Sequence, residues 1–145
     1  MKKLMILAIA LMAPALATAA GFLSNAASKI LTVESVWAAA VPVTLTASAG
    51  VAAPNFGAGI DFVWTLGGTG LTLANPAGAK SGQKGIIYLV QDATGGRTIT
   101  TWGNLYKFSG GVKPTLTPTA NAVDLLSYAV KSPTEIECFF SRGMS

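Results

Sequence analysis

Apolar residues along this chain fall into three textures. They run almost unbroken from Leu4 to Ala13. Phe22, Leu23, Ala26, Ile30, Val33 and Trp37 then recur at three- and four-residue steps. That spacing predicts an amphipathic helix from about Phe22 to Ala39, capped at Ser24 or Asn25, either packed on its own domain or reaching neighbouring subunits. From Val41 the pattern changes to strands and turns. Ile60, Phe62, Trp64 and Leu66 alternate with Asp61, Val63 and Thr65 up to Gly67-Gly68, the period of a half-buried strand. Val43-Thr44-Leu45-Thr46 and Leu71-Thr72-Leu73 give shorter strands, separated by a small-residue loop from Ser48 to Gly59. Ile86-Ile87-Tyr88-Leu89-Val90 is continuously apolar and β-branched, which reads as a strand covered on both faces. Gln91 to Gly96 supplies turn chemistry and Arg97 to Trp102 returns as extended chain, so the pattern predicts a hairpin. Pro114 and Pro118 make 110–121 a long loop. Val123–Val130 and Thr134–Phe140 are the last two strands, turned at Lys131-Ser132-Pro133.

Short strands at this spacing predict an all-β fold, an antiparallel β-sandwich or jelly-roll-like domain preceded by an N-terminal apolar helix. No internal repeat stands out. Several strands are apolar on both faces: Val63 opposes Phe62 and Trp64, Leu125 opposes Leu126, and Phe139 opposes Cys138 and Phe140. A two-layer sandwich has one inner face per sheet, so these residues predict a second cover: the helix from Phe22 to Ala39 over one sheet, and a subunit interface over the rest.

The N-terminus adds a processing signal to this picture. Met1-Lys2-Lys3, the apolar run and the small residues that follow have the form of a secretory leader over 1–19, with cleavage between Ala19 and Ala20. Residues 20–41 then form the helix and linker, and 42–145 the β module. The formal charge of +4 includes Lys2 and Lys3; without them 8 basic residues face 6 acidic ones. No basic cluster remains, which argues against nucleic acid as a partner. Cys138 is the only cysteine, so no intrachain disulfide forms, and its alternation with Ile136 and Phe140 predicts a buried thiol.

Candidate chemistry is sparse. The chain has no histidine, no nucleophile elbow, no Walker loop and no dinucleotide fingerprint, so neither catalytic residues nor a cofactor nor a metal site is expected. Glu135 and Glu137 share a strand face and read as solvated carboxylates, with Ca²⁺ binding alongside loop carbonyls as the alternative. Asp92 reads as an Asx-turn carboxylate ahead of Gly95 and Gly96, and Arg97 is placed to pair with Asp92 or Asp124. Trp102, Tyr106 and Phe108 are candidates for a binding surface, because aromatic faces stack on sugars and anchor protein contacts; filling the core is the alternative.

A family resemblance rests on Gln91-Asp92, Thr94-Gly95-Gly96-Arg97-Thr98, Trp102-Gly103, Tyr106-Lys107-Phe108, Gly110-Gly111, Pro114-Thr115-Leu116, Thr119 to Asp124 and Leu126-Ser127-Tyr128. With Trp64 to Gly68 and Leu73 to Pro76 upstream, the chain from about Val43 to Phe140 resembles a β module of tailed-phage and prophage tail-fibre or virion-associated proteins. Thr100-Thr101 is one residue longer than the commonest form, an expected bulge that re-aims Trp102, and Ser109 stands where proline is usual. The resemblance implies a non-enzymatic structural or attachment protein acting as a homo-oligomer, with a trimer favoured because such appendages are commonly threefold. Its implied partners are other copies, other virion or cell-surface proteins and surface glycan. The implied location is the virion. The leader points instead to a secreted or surface-displayed protein that binds glycan or envelope through its loops.

Overall fold

The computed structural model describes residues 33–144. Nine strands dominate it, β1 (Val43–Thr44), β2 (Val51–Ala52), β3 (Phe62–Leu66), β4 (Leu71–Leu73), β5 (Lys84–Gln91), β6 (Ile99–Trp102), β7 (Tyr106–Phe108), β8 (Val123–Ser132) and β9 (Glu135–Met144). They build a six-stranded sheet in the order β1-β3-β5-β8-β9-β7 and a three-stranded sheet in the order β2-β4-β6. The all-β class expected from the alternation holds. Strand directions are mixed: β5, β8 and β9 run antiparallel in succession, whereas β1, β3 and β5, β2, β4 and β6, and β7 and β9 pair in parallel.

The parallel pairs have a simple cause. From β1 to β6 the chain alternates between the large and the small sheet, so each strand from β3 to β6 lies beside the one a full circuit earlier; β7 instead joins the far edge of the large sheet beside β9. Val43, Phe62 and Ile87 are laterally aligned although they are 19 and then 25 residues apart. In the small sheet Val51, Thr72 and Thr101 align at 21 and then 29 residues. Circuits of changing length leave no fixed period, and the repetition is therefore absent from the sequence.

The hairpin predicted around Gly95-Gly96 does not form. β5 ends in the large sheet and β6 begins in the small one, and the two do not pair. The buried Gln91 side chain supplies the missing ladder: its Nε2 donates to the Arg97 carbonyl at 3.0 Å, and its Oε1 accepts the Arg97 N–H at 2.8 Å. A buried amide satisfied on both ends lets the chain leave one sheet and enter the other without orphaned polar groups. Within the small sheet the register shifts between Leu71 and Thr72, whose partners are Ile99 and Thr101. Thr100 is thus the bulged residue, at the place where the extra residue predicts a bulge, and Trp102 points into the core.

Both sheets contribute to one core. Phe62, Trp64 and Leu66 of β3 pack with Ile87 and Leu89 of β5, Leu126 and Tyr128 of β8, and Leu71, Leu73 and Trp102 of the small sheet. Phe56 stacks on Phe62 at 5.4 Å and on Tyr128 at 4.3 Å between ring centroids. Each fully buried side chain of this size contributes about 1.5–3 kcal/mol relative to exposure. Cys138 lies in this core, and burial pushes its thiol up to about 12.

The helical expectation over 22–39 meets the described residues in α1 (Val33–Ala40), which carries Glu34 in its first turn and buries no residue. Residues 22–32, the leader and its Ala19–Ala20 cleavage point lie outside the described residues. No helix among the described residues is long and apolar enough to cross a membrane.

Candidate functional site

Three groups of residues compete for a functional reading, and geometry separates them. In the first, Asp92 Oδ1 accepts the N–H groups of Thr94 and Gly95 at 3.0 Å each. Its Oδ2 accepts from Arg97 Nε at 2.9 Å and Nη2 at 2.7 Å, so Arg97 pairs with Asp92 and not with Asp124. Gly95 and Gly96 both hold left-handed backbone, φ 71° and 68°. A Cβ on Gly95 would meet the Pro118 carbonyl at 2.6 Å, while one on Gly96 would meet nothing within 4 Å. Gly96→Val therefore strains the backbone alone and is expected to cost about 1 kcal/mol in a denaturant titration. All four residues close a turn against the 118–122 loop, where the Gly96 N–H reaches the Pro118 carbonyl at 2.8 Å.

Arg97, aided by the Gly95 and Thr94 N–H groups, holds the Asp92 carboxyl below its ordinary range. A folded value below the unfolded one stabilises the protein above the unfolded pKa of about 4, and the contribution is lost as pH falls through the folded value. Asp92→Asn should therefore lower stability at neutral pH. The gap between wild type and variant should close in denaturant titrations stepped from about pH 6 to below 3. A gap independent of pH would show that the carboxylate charge does not matter.

The second group is Trp102, Tyr106 and Phe108. Trp102 and Tyr106 are buried and Phe108 is half-buried. Phe108 meets the Trp102 ring edge-on at 5.2 Å, and Tyr106 donates to the Ala74 carbonyl at 3.1 Å. Burial, reinforced by the nearby Cys138 and Tyr128, raises the Tyr106 hydroxyl above its ordinary range. The bulge in β6 turns Trp102 inward and alternation along β7 turns Tyr106 and Phe108 the same way, so these rings pack on the core. Asp124 was missed as a key residue by sequence reading. It is 1% exposed, and its two oxygens accept the N–H groups of Thr117 at 2.7 Å and Gly143 at 2.8 Å. Its place among the inward-facing residues of β8, between Val123 and Leu125, was the available signal.

The third group is the outer face of the large sheet. Ladder register across β5, β8 and β9 aligns Ile86, Ser127 and Phe139 in one row, and Tyr88, Leu125 and Ser141 in the next. Val90, Val123 and Met144 make a third row, and Val63 extends the second onto β3. Most of these side chains are half-buried, and Phe139 is 68% exposed. Beside Phe139 a shallow depression of ≈ 510 Å³ is lined by Asp61, Lys84, Ile86, Ser127 and Ala129 among others. Alternation along β5 and β8 forces this outcome, because both registers of each strand are apolar and only one can face the core. No group of three His, Cys, Asp or Glu side chains that could hold a metal converges among the described residues.

The described residues thus form an all-β domain with an apolar outer sheet face. A family model described as "Putative phage tail fibre C-terminal domain" matches residues 43–131, well over half of the chain. The chain belongs to this family of phage tail-fibre domains, and with it to the structural proteins of the virion. The match runs from β1 almost to the end of β8; β9, which joins β8 to β7, lies beyond it. No curated protein and no solved structure matches the chain.

Proposed function

We propose that this chain is a non-enzymatic structural or attachment module of a phage tail, working as a homo-oligomer. The observation that carries the reading is the apolar outer face of the large sheet, with Phe139 68% exposed. Contiguous apolar surface of this kind marks protein interaction sites in soluble proteins. Cover by further copies, and by neighbouring tail proteins, would give the face the burial that its composition calls for. The buried Trp102 and Tyr106 take no part in this contact.

Two measurements test the reading. Antibodies against the domain should decorate the tail in negative-stain images of purified particles, and the protein should be found there by mass spectrometry. Light scattering on the full-length protein at micromolar concentration should give a mass above that of one chain. A protein absent from particles, or monomeric throughout, would refute the respective half of the proposal.

A further inference from the structure

One edge of the large sheet is longer than the strand that covers it. β9 is bonded to β8 from Glu135 to Met144, but on its other side β7 reaches only Ile136 to Cys138. The Ile136 N–H points toward β7 and donates to the Leu105 carbonyl at 2.9 Å. Strand alternation sends the N–H and carbonyl of Phe140 the same way, and neither has a hydrogen-bond partner among the described residues. The other edges are closed. β1 is two residues long behind Pro42, and the Val51 N–H and carbonyl of β2 bond back to Ser48 at 3.0 Å. β6 carries the Thr100 bulge, and β7 stops after three residues, just ahead of Gly110 with φ 65°. Sheets guard their edges by such devices, so a stretch left open marks a place for another strand.

We propose that the β9 edge at Phe140 is a strand-addition site, where an extended segment of a neighbouring virion protein lies in line with β7 and pairs with β9. A groove of ≈ 460 Å³ runs along this edge, lined by Phe108, Val112, Pro114, Phe139, Phe140 and Ser141 among others. Val112 is 73% exposed, and Phe108 and Phe140 are half-buried. The chain leaves β9 at Phe108 and comes back to it at Leu116, whose carbonyl accepts from Arg142 Nη2 at 3.3 Å. Phe108 thus bounds one end of the groove and the Leu116–Arg142 contact the other. An entering strand sets alternate side chains against Phe108 and Phe140 on the inner side and beside Phe139 on the outer side.

The occupant is a lone segment and not the edge of a second copy's sheet. Residues 108–114 line the groove together with β9, so a single strand fits between them and a whole sheet does not. Apolar walls select apolar residues at alternate positions, and two cations select an acidic one beside them. Lys113, between Val112 and Pro114, is exposed and in no ion pair among the described residues, and Arg142 stands exposed at the far end. The partner is therefore an extended protein segment with alternating apolar residues and an acidic side chain. The inference rests on the tail-protein reading above only for the source of that segment.

The test is amide hydrogen exchange of the full-length protein, free in solution and within purified particles. In the free protein the Phe140 amide should exchange quickly, while the Phe139 and Ser141 amides, which face β8, stay protected. In particles the Phe140 amide should slow about 100-fold or more. Val112→Arg, at an exposed position, should abolish that protection or keep the protein out of particles with its melting unchanged, and Lys113→Glu should weaken the protection. Fast Phe140 exchange in particles that contain the protein would overturn the site, as would full protection in the Val112→Arg variant. Protection already complete in the dilute free protein would show that the chain fills its own groove. Protection that rises with the concentration of the free protein would make a second copy the occupant. Either result overturns the proposed partner. A protein absent from particles would overturn the tail reading and this partner with it.

Discussion

Replacing Gly85 by alanine is expected to unfold most of the protein at a denaturant concentration that leaves the wild type intact. Gly85 sits in β5 beside Tyr128 of β8. A Cβ there would lie 1.8 Å from the Ile60 carbonyl oxygen, 2.8 Å from the carbon of the same group and 2.7 Å from the Tyr128 hydroxyl. Two of these three atoms are backbone, and the Ile60 carbonyl is held in place as acceptor of the Tyr128 hydroxyl. Relief therefore requires the 59–61 segment to move off the sheet, which also pulls Asp61 Oδ1 from the Ile86 N–H that it accepts at 2.8 Å. Overpacking against side chains typically costs about 1–3 kcal/mol. Against fixed backbone the expected loss is about 3 kcal/mol or more, a fall of roughly 10 °C in Tm. Gly82→Ala is the control: its φ of 87° strains alanine, but no atom lies within 4 Å of the new Cβ. Equal stability of Gly85→Ala and wild type would mean that β5 and the Ile60 segment are not packed as described.

Asp124→Ala is expected to produce the second large loss, about 3–5 kcal/mol in the same titration. The Asp124 carboxylate is 1% exposed and is the acceptor for the Thr117 and Gly143 N–H groups. It sits where the β8–β9 register shifts between Val123 and Leu125, so it occupies the gap that the irregularity opens. Removing it orphans two backbone donors and leaves a cavity near the end of β9. Buried donors without acceptors cost about 1–3 kcal/mol each. Asp61→Ala, at a half-buried position with one N–H to lose, should cost clearly less. If the two variants are equally stable, Asp124 does not anchor β9 to the 112–118 loop.

The amino-acid sequence determined the all-β class, most strand positions and the apolar excess on the large sheet. These follow from local alternation, which a chain carries whatever its partners. Val63, Leu125 and Phe139 announced a second apolar face because period-2 geometry allows only one register to point inward. Cys138 was legible as a core residue for the same reason. The Asp92 turn was also local, since a carboxylate two residues ahead of a free N–H needs no tertiary partner.

Strand pairing was decided only by the tertiary structure. Pairing depends on which segment the chain next lies beside, and residues such as Phe62 and Ile87 find each other across 25 positions with no periodic trace. The Gly95-Gly96 stretch carries the same turn chemistry whether it closes a hairpin or a sheet crossing. Gln91, through its bidentate grip on the Arg97 backbone, and Pro118, as acceptor for the Gly96 N–H, select the crossing. The rings of Trp102 and Tyr106 likewise have no side of their own in the sequence. The bulge at Thr100 and the parallel β7–β9 pairing turned them into the core, where long-range packing and not local pattern sets the direction.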